Sequence, residues 1–335
     1  MSDLIISSHT EINSGWLNRV LMKAGFIFSN KISKIDVQQI GEGKMGENFR
    51  ILLDYKNPTT LPRSMILKLS SSDQETKSNI SRMGGYLAEV YFYKEIASFA
   101  NIRTPRLYYA DIRSNHQDFV ILMEDVPNAE PGNQLYGEVP GRAIAAITEI
   151  ANLHASLWGN VDIFKKDYIA KITGDVAKTR KHLLETFWPP MVDHYKECLT
   201  KEYIRTTELF IDNFVRWNEI STSESTVIHG DWRSENMLFG DDGSVTTIDW
   251  QTLQQGNALI DVAYFIGGSM TMNNRRQYES QLLRHYHNQL DKRGVSLSQS
   301  ELARKYQLGA LHGIAITIFG ASLSPTKKMT NCLKL

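Results

Sequence analysis

VIHGDWRSENMLFGDDGSVTTIDW, residues 227–250, is the stretch that decides how this chain is read. Asp231 follows His229 and Gly230, Asn236 comes five residues later, and Asp249 closes a second apolar run beyond Gly240, Asp241, Asp242 and Gly243. The order reads strand, loop, strand, turn, strand. These three spacings match the arrangement in which a loop Asp acts as base, an Asn five residues on holds a second magnesium, and a later Asp is the main magnesium ligand. The residue types follow from the chemistry. A loose transition state spreads negative charge over the phosphoryl oxygens, and Asp and Asn supply the hard oxygen donors that magnesium takes. Asp241 and Asp242, by contrast, read as solvated turn residues.

Taken together, HGDWRSENMLF, then TIDWQ, then DVAYF resemble the aminoglycoside phosphotransferase and choline kinase superfamily, and within it the ecdysteroid-kinase-like branch. The resemblance runs from the glycine loop near Gly41 to the helix after Asp261 and is specific for the reaction, not the substrate. It implies an α+β, bilobal protein-kinase-like fold. An antiparallel-sheet N-lobe with one main helix is expected over residues 1–125, and a mostly helical C-lobe with catalytic loop and acceptor pocket over 126–335. It also implies a small-molecule kinase that uses ATP and Mg2+, with Asp231 as base and the metal on Asn236 and Asp249. GTP stays open as the nucleotide.

A kinase needs a nucleotide-covering loop near the N-terminus, and GEGKMG at residues 41–46 offers Gly41, Gly43 and Gly46. A lone GxGxxG also announces dinucleotide sites, so the flanks decide. Ile35, Val37 and Ile40 suggest a strand before it, and FRILLDY at 49–55 a strand after it, ended by Asn57 and Pro58. A Rossmann glycine loop opens a helix, whereas this one opens a strand, and no GxxxxGK[ST] occurs. SMILKL at 64–69 reads as a third strand in which Lys68 alone interrupts an apolar run. A buried lysine is costly unless an anion meets it. The resemblance assigns Lys68 to the α- and β-phosphates and Glu89, on a helix expected over 85–99, to orienting it; Glu95 is the competing carboxylate. Residues 104–109 and 119–123 read as further strands, the second leading through Glu124, Asp125 and Val126 into a hinge whose backbone would read the nucleotide base.

GRAIAAITEIANLHASLW, 141–158, gives the clearest helix, with Ile144, Ile147, Ala151, His154 and Trp158 on one stripe. His154 is read as a packed, hydrogen-bonded core histidine and His229 as a brace of the catalytic loop; nothing near His285 and His287 completes a metal site. Asp261 resembles the superfamily's helix-start aspartate that bonds back to the catalytic loop, and an Asp there would also cap a helix. Only QTLQQGNALI with its neighbours fills the interval from Asp249 to Asp261. A protein kinase carries a long activation segment ending in Ala-Pro-Glu at that place, so a small hydroxylated acceptor is preferred. Residues 160–219 would shape its pocket. Phe187, Trp188, His194 and Tyr195 could line it or pack helices around a turn at Pro189 and Pro190, and acidic residues are not concentrated there, which weakens a polycationic acceptor. Arg233 could touch the γ-phosphate or substrate, or lie on the surface.

Composition fits two lobes. The chain has 335 residues with 37 basic and 37 acidic side chains, so no bulk field draws it to nucleic acid or membrane. Two cysteines, Cys198 and Cys332, argue against a disulfide scaffold. No run approaches a transmembrane span, the N-terminal stretch lacks the features of a secretory signal, and a cytoplasmic monomer or homodimer is expected. FGASLSPTKKMTNCLKL at the end reads as short for the branch. The readings that compete with a small-molecule kinase are a nucleotide-binding pseudokinase acting as a regulatory module and an atypical protein kinase. Retention of Lys68, Glu89, Asp231, Asn236 and Asp249 argues against the pseudokinase.

Overall fold

The computed structural model describes residues 4–26, 31–41, 45–223 and 226–323. Gly43 and residues 324–335 lie outside them. The chain divides into two compact units, the first made of Met1–Phe99, Arg103–Ala129 and Thr247–Thr252 and the second of Ala100–Ile102, Glu130–Thr246 and Leu253–Leu335. The segment carrying Asp249 therefore belongs to the first unit.

The first unit contains helix α1 (Ser14–Lys23), strands β1 (Ile32–Ile40), β2 (Gly46–Tyr55) and β3 (Ser64–Ser70), helices α2 (Gln74–Arg82) and α3 (Gly85–Tyr91), and strands β4 (Leu107–Ile112) and β5 (Phe119–Glu124). All five strands pair antiparallel in the order β1-β2-β3-β5-β4. Alternation fixes what each face does. Phe49, Ile51, Leu53, Met65, Leu67 and Leu69 join Trp16, Leu17, Val20 and Leu21 of α1 in one buried cluster. Lys68, between Leu67 and Leu69 and opposite Asn48 and Ile121, belongs by that alternation to the other face. The strand expected over 104–109 begins at Leu107 instead. Pro105 has no N–H to give a ladder, which delays the pairing. The helix expected over 85–99 is shorter too: α3 passes into a π-helical turn at Phe92–Ile96.

The second unit contains β6 (Ala129–Pro131), α4 (Pro140–Ser156), α5 (Val161–Phe164), α6 (Gly174–Tyr195), α7 (Lys201–Asp212), α8 (Phe214–Ser223), β7 (Thr226–Ile228), β8 (Met237–Gly240), β9 (Val245–Thr247), β10 (Gln254–Gly256), α9 (Leu259–Gly268), α10 (Met272–Asp291), α11 (Gln299–Ala310) and α12 (His312–Leu323). A short pair, β10-β7, and a three-stranded sheet, β6-β8-β9, frame the catalytic-loop sequence. The strand-turn rhythm read from residues 227–250 is thus present, with a 3-10 turn at Ser234–Asn236 between β7 and β8. Pro189 and Pro190 lie inside α6 and make no turn. Leu184, Trp188, Met191 and Tyr195 on that helix are buried against Phe210, Phe214, Trp217 and Ile318, packing that offsets the amide hydrogen bonds the prolines remove. No helix among the described residues is long and apolar enough to cross a membrane.

Close approach of α11 to α9 depends on one glycine. A Cβ at Gly309 would stand 2.4 Å from the Leu259 carbonyl oxygen and 2.8 Å from the Ile260 nitrogen, both backbone atoms that cannot step aside. Gly309→Ala should lower stability by about 1–3 kcal/mol through overpacking. Urea unfolding midpoints of the two proteins measure this, and an unchanged or raised midpoint would contradict the contact.

Candidate active site

In the first unit the chemistry gathers around Lys68. Its Nζ lies 2.8 Å from Glu89 Oε1 and 2.9 Å from Asp249 Oδ1, partners 21 and 181 residues away in sequence. Lysine and glutamate side chains are buried to 8% and 1% exposure, while that of Asp249 keeps 26%. Burial works against the ammonium, but the charges of Asp249 and Glu89 more than offset it and hold its pKa above the ordinary lysine value. Burial pushes the Glu89 carboxyl upward, with Lys68 pulling the other way. An ammonium has three donors. Two are spent on these carboxylates.

Local structure aims each member. Glu89 lies in α3 just before the π-helical turn, an irregularity that favours functional sites. Asp249 takes a left-handed φ of 66°, uncommon for a residue with a side chain. The next residue, Trp250, is fully buried and stacks on Phe92 with ring centroids 3.5 Å apart and planes at 10°. This stack ties the Asp249 segment to the helix that carries Glu89. Gly46 sits against the same group, since a Cβ there would meet the Leu69 carbonyl oxygen at 2.9 Å and Lys68 Cε at 3.5 Å. Gly41 is exposed with φ 71° and Gly43 is outside the described residues. Glu124 and Val126 lie at and beyond the end of β5. Glu124 accepts the Arg106 N–H there, and its strand partner is Met65, three residues from Lys68. Glu95 falls in the π-helical turn, half-buried.

In the second unit the loop between β7 and β8 brings Asp231 and Asn236 together. Asn236 Nδ2 donates to Asp231 Oδ2 and to the Asp231 carbonyl, each at 2.9 Å, and Arg233 Nε donates to the same Oδ2 at 3.1 Å. Arg233 is thus neither a free surface arginine nor aimed away: it pairs with Asp231 and reaches Gln134 Oε1 at 3.5 Å. The Tyr264 hydroxyl donates to the Asp231 carboxylate as well, and burial together with that charge pushes the phenol upward.

A single buried carboxylate holds the loop. Asp261 accepts the His229 N–H at 2.7 Å, the Gly230 N–H at 2.9 Å and His154 Nε2 at 3.1 Å, while His154 Nδ1 meets the Tyr286 hydroxyl at 2.8 Å. Asp261, His154 and His229 are fully buried. His154 is a core histidine, and His229 Nδ1 accepts the Asp231 N–H at 3.3 Å from inside the loop. Asp261 is the third residue of α9 and does not cap it. Burial raises its pKa, yet the hydrogen bond and charge of His154, the charge of His229 and the Gly230 N–H win, and the carboxyl is held below its ordinary value.

The donor set suits magnesium. Each residue expected to hold the metal offers an oxygen of the kind magnesium takes: in the second unit Asn236 commits the described contacts of its amide nitrogen to Asp231 and keeps Oδ1, and in the first unit Asp249 carries a carboxylate. Among the described residues no three His, Cys, Asp or Glu converge on a metal site. Magnesium needs no such cage, because it takes one or two protein oxygens and completes its shell with phosphates and water.

The model of a family described as ecdysteroid kinase-like matches residues 41–298. The chain belongs to the ecdysteroid kinase-like family. Its fold is similar to that of a choline kinase from Cryptosporidium parvum Iowa II, with TM-score 0.56 and 13% identity over 89% of this chain and 86% of that one. It is similar also to the GDP and kanamycin complex of APH(2")-IIia, with TM-score 0.58 and 13% identity over 94% of each chain. A third likeness is to the spectinomycin phosphotransferase APH(9)-Ia in complex with ADP and spectinomycin, with TM-score 0.52 and 12% identity over 95% and 93%. At these identities the likeness shows the protein-kinase-like fold. A curated relative, the uncharacterized oxidoreductase dhs-27 of Caenorhabditis elegans, is 23% identical over 348 aligned positions. Those positions cover 88% of this chain and 40% of that protein.

Sequence reading of this kinase-like chain missed Tyr264 and His312. Tyr264 stands three residues after Asp261, so the helical repeat of DVAYF could have put both on one face. His312, whose Nε2 donates to the Gly230 carbonyl at 2.9 Å, comes from 82 residues away with no local signal.

Lys68→Met would strand the buried Glu89 carboxylate and should cost about 3–5 kcal/mol, most of it recovered when Glu89→Gln is added. Denaturant midpoints of the two single variants and the double variant read the coupling, and additive losses would argue against a shared ion pair. Asp261→Asn should destabilise by about 2–3 kcal/mol at neutral pH. Because the folded-state pKa of Asp261 is depressed, its contribution is present above the ordinary carboxylate range and lost as pH falls through the depressed value. The gap between wild type and variant, measured by unfolding at a series of pH values, should therefore narrow toward acid.

Proposed function

We propose that this chain transfers the γ-phosphate of ATP to a hydroxyl of a small molecule. What supports this reading most is Lys68 Nζ lying between Glu89 and Asp249 at 2.8 and 2.9 Å. A strand lysine, a helix carboxylate and the Asp after the catalytic loop converge there as a kinase requires.

In this reading Glu89 fixes Lys68, whose third N–H meets the α- and β-phosphates, and Gly41, Gly43 and Gly46 let the backbone close over them. The backbone from Glu124 to Val126 reads the adenine edge. Asn236 and Asp249 hold Mg2+, which when bound neutralises the charge that builds on the phosphoryl oxygens. Asp231 orients the acceptor hydroxyl and takes its proton as the oxygen forms a bond to the γ-phosphorus. The bond from that phosphorus to the β–γ bridging oxygen breaks, and ADP leaves with the electron pair. Arg233, Asn236 and Tyr264 hold the Asp231 carboxylate for this step.

Purified protein, ATP, magnesium and a panel of hydroxylated metabolites, followed by mass spectrometry, test the reading. A product heavier by one phosphoryl group is expected. Asp231→Asn should lower its rate by a factor of about a hundred or more while nucleotide affinity stays close to wild type. Product formed equally by the variant would remove Asp231 from the base's role, and magnesium-dependent ATP binding without any product would favour the pseudokinase.

A further inference from the structure

Gln251 is an amide in a place where an apolar side chain would fill the same volume. It follows Asp249 and Trp250 in the first unit and is 8% exposed. Two glycines border it. A Cβ at Gly85, the first residue of α3, would stand 3.3 Å from the Gln251 carbonyl oxygen and 3.6 Å from Gln251 Cβ. A Cβ at Gly46, where β2 leaves the glycine loop, would stand 3.7 Å from Gln251 Nε2 and 3.5 Å from Lys68 Cε. The main chain of Gln251 is therefore seated at the start of α3, and its amide lies beside the lysine.

Glu89 stands one turn after Gly85 on the same face of α3. The Gln251 side chain thus runs along the helix from Gly85 toward the carboxylate that pairs with Lys68. Burial pushes the Glu89 carboxyl up, Lys68 draws it down, and the Gln251 amide draws it down as well. Yet that contact falls short of a closed bond. Glu89 Oε2, Gln251 Nε2 and Gln251 Oε1 are all buried, and none has a hydrogen-bond partner among the described residues. Glu89 spends Oε1 on Lys68 at 2.8 Å. Its second oxygen and the amide N–H are an acceptor and a donor left open near each other, each at the desolvation cost of an unmade bond. A carboxylate anchored through one oxygen still turns about its last bond, because that torsion is broad. Anchored through both, it does not.

We infer that Gln251 is a positioning residue for phosphoryl transfer: its amide N–H takes the second oxygen of Glu89, and the carboxylate so fixed presents Lys68 to the phosphates of the nucleotide. The inference rests on the phosphotransferase reading for the nucleotide, whereas the juxtaposition of Gln251 and Glu89 stands without it. Lys68 is divided between Glu89 and Asp249. Phosphate oxygens drawing on its third N–H pull it away from both carboxylates, and a Glu89 held at each oxygen resists that pull. Gln251 touches neither the phosphates nor the base and acts through Glu89 alone. Its glutamine identity follows, since a methionine would pack as well without burying two amide atoms.

Gln251→Met tests this, because methionine fills a similar volume and has no N–H to give. Binding of MgATP and of adenosine to the full chain is measured by calorimetry, and urea midpoints are taken on the same proteins. Loss of a hydrogen bond to a charged group should weaken MgATP by about ten- to a hundredfold. Adenosine, which has no phosphate for Lys68 to meet, should bind wild type and variant alike. The urea midpoint should hold or rise, since an amide buried without a partner has been removed. In a Glu89→Gln background, Gln251→Met should cost MgATP nothing further. The inference fails if adenosine weakens in parallel with MgATP or if the two substitutions lower MgATP affinity additively. It fails also if the midpoint falls, because the glutamine then serves the fold. MgATP bound equally by wild type and Gln251→Met would sink this inference and leave the kinase reading intact. A wild-type chain that binds no MgATP would remove the kinase reading and this inference with it.

Discussion

The second unit is organised by the desolvation of one carboxylate. Asp261 has no exposed surface, so its charge must be met from within, and it is met by the backbone N–H groups of His229 and Gly230 and by the His154 ring. That requirement fixes the loop from its inner side. With His229 and Gly230 held, Asp231 leaves the loop at a set angle, and Asn236, Arg233 and Tyr264 then aim its carboxylate. His154 is satisfied in turn by Tyr286 on α10, so the position of the catalytic loop is coupled to the packing of α4 against α10. A stability term and a positioning term are here the same set of hydrogen bonds.

The first unit solves a related problem with opposite signs. Lys68 sits on a strand between two core leucines and can be charged there only because Glu89 and Asp249 reach it. Neither carboxylate is placed by its own local preference. Glu89 is presented where α3 loosens into a π-helical turn, and Asp249 adopts a left-handed backbone that a side chain disfavours. The stack of Trp250 on Phe92 supplies buried contact that offsets both irregularities. Backbone irregularity thus falls next to Glu89 and at Asp249, while β3, which carries Lys68, pairs in unbroken register with both β2 and β5.

Much of this was legible in residue order. The antiparallel strands announced themselves as short runs of strand formers bounded by turn residues, and Lys68 stood out because a lysine breaks an apolar run. Asp231, Asn236 and Asp249 were legible as a spacing. Where local rules failed, a local feature had been overruled by packing. Pro189 and Pro190 predict a turn, but the buried side of α6 carries the helix through them. Of the two readings open for the aromatic residues near those prolines, pocket lining or helix packing, Trp188 and Tyr195 follow the second, buried in one cluster with Phe210, Phe214 and Trp217. Asp261 reads from its place near a helix start either as a cap or as the aspartate that bonds back to the loop, and its carboxylate is turned to the loop.

By itself the sequence determined the class of fold and the chemistry on offer, because strand period, turn residues and the Asp and Asn spacing are all properties of short segments. Tertiary structure alone decided which groups face each other across long separations. The Lys68 and Asp249 pair spans 181 residues and the His312 and Gly230 bond spans 82, and no local periodicity encodes either. Charge cost is set by surroundings, and surroundings are the part of a protein that a single line of residues does not contain.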